Sequence, residues 1–494
     1  MTRSQGLGAS ALLATLFCST AVWADITPEE VWQNWTGLAE SFGQTVTTIA
    51  TERQGDTLVV SGIAFAQENH GVTTSISIDE VRLRDMGDGR VEVTMSETVP
   101  FKAEGAPEGG KPVNMNATIT QTGMSVIASG ASDDATYEYS APALALMMQA
   151  TGDTENAPID ISVTMAGATG IYHVVGDTSR TGESSFNAQS VAYSFSGQDP
   201  ANATGFKFDG TVEGLSGTGE FNLPAGVDME NLSAALQAGL RMAGSYGYTS
   251  GAGQSTIEGP EGGGFSYTGG AGTLRFAMSS EGLSYGGDAG ELSMSMQMAQ
   301  FPVPVDVKLG QSAFDMKMPV TPGETAQPFG LVVKLVDLEV SEMLWGMFDP
   351  GQQLPRDPAT LIVDVSGDGT LGVDIFDPAQ AETLADQPPG TLNSVSINEV
   401  RVSAVGAELT GSGAATFNND GPMPVPNGAV DLRLVGANAL MQKLVAMGLL
   451  PEDQMMGAQM MLGLFAVPDG EDALASKIEF KDDGTIFANG QQIK

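Results

Sequence analysis

Residues able to do chemistry are few in this chain, and their spacing is poor. Its histidines are His70 and His173, far apart in sequence, and its one cysteine is Cys18. A zinc site built from nitrogen and sulfur ligands is therefore not expected. The run Gly282-Leu283-Ser284-Tyr285-Gly286 fits the G-x-S-x-G pattern of a nucleophile elbow. That chemistry needs the serine at a sharp strand-to-helix turn, with a histidine as base. Ser284 instead stands in alternating, Gly-rich sequence with no helix pattern behind it. Asp364, Ser366, Asp368 and Gly369 copy the start of an EF-hand loop, but Ile375 occupies the place of the bidentate acid. Gly110-Lys111 is followed by Pro112, without the glycine spacing of a phosphate loop. The 60 acidic residues guarantee close carboxylate pairs, the equipment of an acidic hydrolase, yet no spacing singles one pair out. No catalytic residue, metal ligand or cofactor is assigned. A non-enzymatic protein is the expectation, with a hydrolase using paired carboxylates as the alternative.

The residues with the best claim on a ligand are apolar. Leu292, Met294, Met296 and Met298 alternate with polar neighbours, and Phe314, Met316 and Met318 repeat the arrangement. Thioethers adapt to irregular apolar shapes such as acyl chains. Met294, Met296, Met298 and Met316 are therefore the candidate contacts for a lipid or another apolar small molecule. The same rows would also fill a sheet core closed by helices, the usual place for methionine.

Most of the elements that must position these rows are strands. Val91, Val93 and Met95 alternate with polar residues, as do Ile159, Ile161, Val163 and Met165, then Val191, Tyr193 and Phe195. Val303, Val305, Val307 and Leu309 do the same, and so do Val430, Leu432 and Leu434. Each row predicts a strand with one apolar and one polar face, the mark of antiparallel sheet. Asp-Gly at 88–89, 209–210, 368–369, 420–421, 469–470 and 483–484, with Asn-Gly at 427–428 and 489–490, predicts hairpin turns. Helices are expected at 27–42, 228–242, 341–348 and 377–386, and as a hairpin at 438–448 and 451–465. The first has Thr27, Pro28 and Glu30 placed for a capping box. The fold class is mainly β: a long antiparallel, curved or sandwich-like sheet assembly with a few covering helices.

The expected organisation is a signal peptide at 1–24, a β-rich half at 25–227, a helix and Gly-rich connection at 228–272, and a second β-rich half at 273–494. Residues 243–272 fit either a linker or Gly-rich strands within one sheet. A duplication is suggested by two similar runs. Residues 57–60 (TLVV) precede 78–83 (IDEVRL), and residues 360–363 (TLIV) precede 397–402 (INEVRV).

Arg3, the apolar stretch 7–22 and Val22-Trp23-Ala24 form a secretory signal, with cleavage expected after Ala24. The mature chain would then hold no thiol and no disulfide. No later stretch is long and apolar enough to cross a membrane as a helix. A formal charge of −39 repels nucleic acid, so no nucleic-acid partner is expected. Four segments together carry a family resemblance: residues 25–32 (DITPEEVW), 78–96 (IDEVRLRDMGDGRVEVTMS), 345–364 (WGMFDPGQQLPRDPATLIVD) and 443–490 with its FKDDGTIFANG. The chain resembles exported alphaproteobacterial proteins grouped as domain of unknown function 2125. More remotely, it resembles envelope proteins of the AsmA type. The resemblance implies a Gram-negative, periplasmic protein and supplies no catalytic residues. A long sheet with one oily side is either closed over, as in a scaffold, or left open as a groove for lipid-like ligands. The open groove is the expectation carried forward.

Overall fold

Alternation of apolar and polar residues becomes strand along almost the whole chain. The computed structural model describes residues 25–41, 43–69, 71–106, 113–151, 158–199, 204–227, 231–259, 262–299, 303–377, 380, 389–421 and 423–494. The expected signal peptide, Cys18, His70 and nearly all of the expected helix at 377–386 lie outside these residues. Among the described residues the strands form one 29-stranded antiparallel sheet. Of a curved sheet and a sandwich, the single sheet is the arrangement present.

The chain meanders. Long strands pair mostly with their sequence neighbours, as Thr57–Asn69 does with Val72–Asp85 and Val425–Val435 with Ala407–Asn418, while shorter ones skip to a later strand, as Val91–Met95 does to Ser125–Ala131. The four longest strands, Asp134–Thr151, Pro158–Val175, Arg180–Asp199 and Thr204–Leu223, lie side by side. Later crossings are split into collinear pairs, such as Arg241–Tyr248 with Ser250–Glu258 and Gly282–Ala289 with Leu292–Met298. With neighbouring strands about 4.8 Å apart, the contour of the sheet is on the order of 90 Å. The Gly-rich stretch 243–272 is part of it, as strands rather than as a linker.

A seam crosses this sheet at right angles to the strands. In the four long strands the apolar residues change parity at one place. Tyr137 and Tyr139 give way to Leu144 and Leu146, Ile161 and Val163 to Tyr172 and Val174, Phe186 to Tyr193, and Phe208 to Phe221. The switch falls at Pro142, Gly167, Gln189 and Gly214, which the pairing registers place opposite one another. Gly167 and Gly214 have φ of +61° and +60°, and Gly62 continues the line at +61°. One left-handed residue shifts the alternation by a step, so both halves can keep their apolar residues on one side of the sheet. At the N-terminal end they do so, because Ile63 and Phe65 pack into the same cluster as Val60 and Leu58. A Cβ at Gly167 would also stand 2.7 Å from the Gln189 side chain, so the position suits glycine on both counts.

Helices cover the sheet only in places. In α1 (Pro28–Ser41) the capping box forms: the Thr27 N–H and hydroxyl donate to Glu30 at 2.8 and 2.7 Å, and Glu30 N–H returns to Thr27 Oγ1 at 3.3 Å. Its Val31 is fully buried, and Trp32 and Trp35 pack with it against Val60, Val81, Val91, Val93 and Val126. α2 (Leu232–Gln237) is shorter than the expected 228–242, because a strand begins at Arg241. It seats Leu236 over Met278, Leu283 and Val320. α3 (Glu342–Phe348) is followed by buried Asp349. α4 (Ala437–Ala446) and α5 (Glu452–Phe465) form the expected hairpin. No helix among the described residues is long and apolar enough to cross a membrane.

Three of the dipeptides read as turns lie inside strands instead: 209–210, 368–369 and 427–428. At Gly210 the reason is visible, since a Cβ there would enter the Tyr193 ring lying across it. The two similar sequence runs pair in matching register. Leu58 opposes Leu83 and Val60 opposes Val81, while Leu361 opposes Val402 and Val363 opposes Val400.

Candidate functional site

Across the middle of the sheet the apolar side is covered only locally, by α2 over Met278, Leu283 and Val320. Among the described residues the extensive contacts run between neighbouring strands of the one sheet. Within the four longest strands no leucine, isoleucine, valine or phenylalanine is buried. On the apolar side Phe206 is 44% exposed, Tyr246 51%, Leu274 47% and Leu331 40%. Under α1, by contrast, Val60, Val81, Val91 and Val93 are at most 1% exposed. The same alternating pattern is thus a closed core at the N-terminal end and an open apolar lane beyond it. Sheets normally bury such a face against another layer. These uncovered large apolar side chains make this face the candidate surface.

Aromatic rings set on glycines build the floor of the lane. Tyr193 lies over Gly210 and Tyr267 over Gly253, and these four residues occupy matching positions in four adjacent strands. The two hydroxyls meet at 2.6 Å. Burial pushes the Tyr193 phenol well above its ordinary range, and the Tyr267 hydroxyl adds to the shift. Phe208 stands 5.6 Å from Tyr193 and 5.8 Å from Phe265 by ring centroids. Gly opposite an aromatic residue lets a large ring lie flat, as also at Gly182 under Phe221 and Gly217 under Phe186.

The sequence-derived candidates sit on this side. Met294 and Met296 oppose Tyr267 and Phe265 on one flank and Val307 and Val305 on the other, and Met298 opposes Gly263. All three are half-buried. Met316 lies beyond the seam, between Tyr285 and Leu331. The methionines are therefore part of a longer surface, not a cluster. The rings of Tyr193, Phe208 and Tyr267 were not singled out from the sequence, although Tyr193 was assigned to a strand.

The opposite side is polar and carries ion pairs. Arg275 bonds to Asp288 at 2.8 Å and reaches Asp315 at 3.3 Å. A shallow depression of about 580 Å³ there is lined by Ser162, Thr164, Ser194, Thr211 and Gln254 together with Ala192, Ala252 and parts of Tyr193 and Tyr267. General-acid hydrolysis needs a carboxyl held protonated. The displaced carboxyls here move the other way. A hydrogen bond from Arg90 lowers Asp88, one from Lys207 lowers Asp209, one from Thr273 lowers Asp288, and one from Thr485 lowers Asp483. At Asp349 burial raises the pKa, but the N–H groups of Gln353 and Leu354 together with Arg356 outweigh it and leave it lowered. Ser284 lies mid-strand opposite Ala277 and Lys317, so the elbow its motif suggested is not formed. Asp364 and Asp368 are likewise in a strand, accepting hydrogen bonds from Asn398 and Ser394. His173 bonds to exposed Asp134 at 2.8 Å. Among the described residues no three His, Cys, Asp or Glu side chains are grouped to hold a metal.

Residues 227–491, just over half of the chain, match the family described as "Uncharacterized protein conserved in bacteria (DUF2125)". The chain belongs to the DUF2125 family. The matched DUF2125 region runs from α2 through the Met rows to the last hairpin, while α1 and the four longest strands precede it. No curated protein and no solved structure matches the chain.

Proposed function

We propose that this DUF2125 protein is a non-enzymatic binding protein of the bacterial periplasm that holds lipid-like molecules along its open apolar lane. The observation that carries the proposal is the exposure of large apolar side chains on one side of a single-layered sheet. An acyl chain laid on Phe206, Tyr246 or Leu331 removes apolar surface from water at about 25 cal/mol per Å², and no rearrangement of a core is needed. The periplasmic location rests on the signal pattern of residues 1–24 and on a chain that needs no thiol after Ala24. A protein of this kind serves envelope maintenance by carrying or storing lipid away from a bilayer.

The test is native mass spectrometry, with an organic extract, on the chain purified gently from a Gram-negative periplasm. The expected result is a lipid bound in stoichiometric amount. A bare chain mass, repeated over preparations that keep native circular dichroism, would turn the reading toward a scaffold that binds proteins.

A further inference from the structure

We propose that the cleft beneath α1 is the headgroup subsite of the lane, and that it takes a zwitterionic phospholipid, with phosphate on Arg180 and ammonium on the carboxylates around it. This rests on the lane reading above. The cleft has a volume of about 740 Å³ and lies between α1 and the ends of the strands beside it. Its inner wall is aromatic. Trp35 and Tyr137 have ring centroids 6.4 Å apart, Tyr137 and Tyr172 6.1 Å, and the series continues to Phe221 at 6.3 Å. The wall is therefore the place where the core closed by α1 opens into the lane.

The rim is charged, and its one cation is unusual. Every other described arginine has a carboxylate within ion-pair range: Arg53, Arg82, Arg84, Arg90, Arg241, Arg275, Arg356, Arg401 and Arg433. In a chain with 60 acids and 21 Lys plus Arg this is no surprise. Arg180 alone lacks one. Its Nε donates to the backbone carbonyl of Asp177 at 2.8 Å, and the half-buried side chain lines the cleft with Tyr137 and Tyr172. A guanidinium held this way still offers donors in the fork geometry that suits a phosphate.

The neighbours decide the headgroup. Glu30, Asp133 and Asp177 line the same cleft. A purely anionic head would meet three carboxylates against one guanidinium, and an uncharged head would leave Arg180 unpaired. A head with one phosphate and one ammonium matches both signs. Its acyl chains, about 20 Å long, would then cross roughly four strand spacings of the lane.

The test offers delipidated full-length chain equal amounts of dioleoyl phosphatidylethanolamine and dioleoyl phosphatidylglycerol in mixed micelles. Diolein, which lacks a charged head, is offered separately, and retained lipid is counted by native mass spectrometry. The expected result is a preference of about tenfold for the ethanolamine lipid, the effect of losing one charge-assisted contact. Arg180→Gln should lower retention of both phospholipids about tenfold with diolein retention unchanged, and Arg180→Lys should restore part of it. Asp133→Asn with Asp177→Asn should move the preference toward the glycerol lipid. Equal retention of both phospholipids by the unaltered chain, or phospholipid retention unchanged in Arg180→Gln, would overturn the subsite and leave the lane standing. Retention of no lipid at all, diolein included, would overturn both.

Discussion

Val31→Asp is expected to unfold the N-terminal end of the sheet. Val31 is fully buried, and its neighbours are the side chains of Val60, Val81, Val91 and Val93. A carboxylate placed there has no donor to meet it, and burying such a group unpaired costs more than about 4 kcal/mol, beyond the range of ordinary substitutions. α1 holds its place by this contact and by the Trp32 and Trp35 rings, so the helix should leave with it. The near-ultraviolet circular dichroism of the tryptophans and the urea midpoint report the loss. A variant that keeps both within about 1 kcal/mol of the parent would mean that α1 does not close this core.

Met294→Asp with Met296→Asp should behave in the opposite way, although the chemical change is the same in kind. Both residues are half-buried on the open lane, flanked by Tyr267, Phe265, Val307 and Val305. New carboxylates there can reach water, so the cost to folding is expected to stay near 1–2 kcal/mol for the pair. Lipid retention should fall by tenfold or so, because an acyl chain would have to desolvate two charges. Unfolding as severe as that of Val31→Asp would show that this side is a closed core. Native stability with full lipid retention would place the ligand elsewhere.

The contrast between these two substitutions also marks the limit of what the sequence holds. The rows at Ile159–Met165 and Leu292–Met298 are legible as strands because period-two alternation is a property of one strand. The capping box at Thr27 and Glu30 is legible for the same reason, being local. Whether an alternating face is covered depends on distant elements. Val91 and Met294 therefore look alike in sequence, and only the position of α1 separates them. The seam was hidden in a different way. Gly167 and Gly214 each interrupt one strand, and the line they form with Pro142 and Gln189 appears only when the registers are known. Asp-Gly at 209–210 suggested a turn because a glycine that makes room for a ring reads like one that makes room for a bend. Arg180 carries no local signal, since its lack of a carboxylate partner is a fact about space.

The most direct test of the open lane is site-specific photocrosslinking in Gram-negative cells that express the chain. Benzoylphenylalanine would replace Phe208 and Leu331 on the apolar side, and Ser194 and Lys317 on the polar side. Lipid adducts at Phe208 and Leu331, with little at Ser194 and Lys317, are the predicted result. Adducts at all four positions in similar yield, or at none of them while the chain remains folded, would contradict a lipid-holding apolar face.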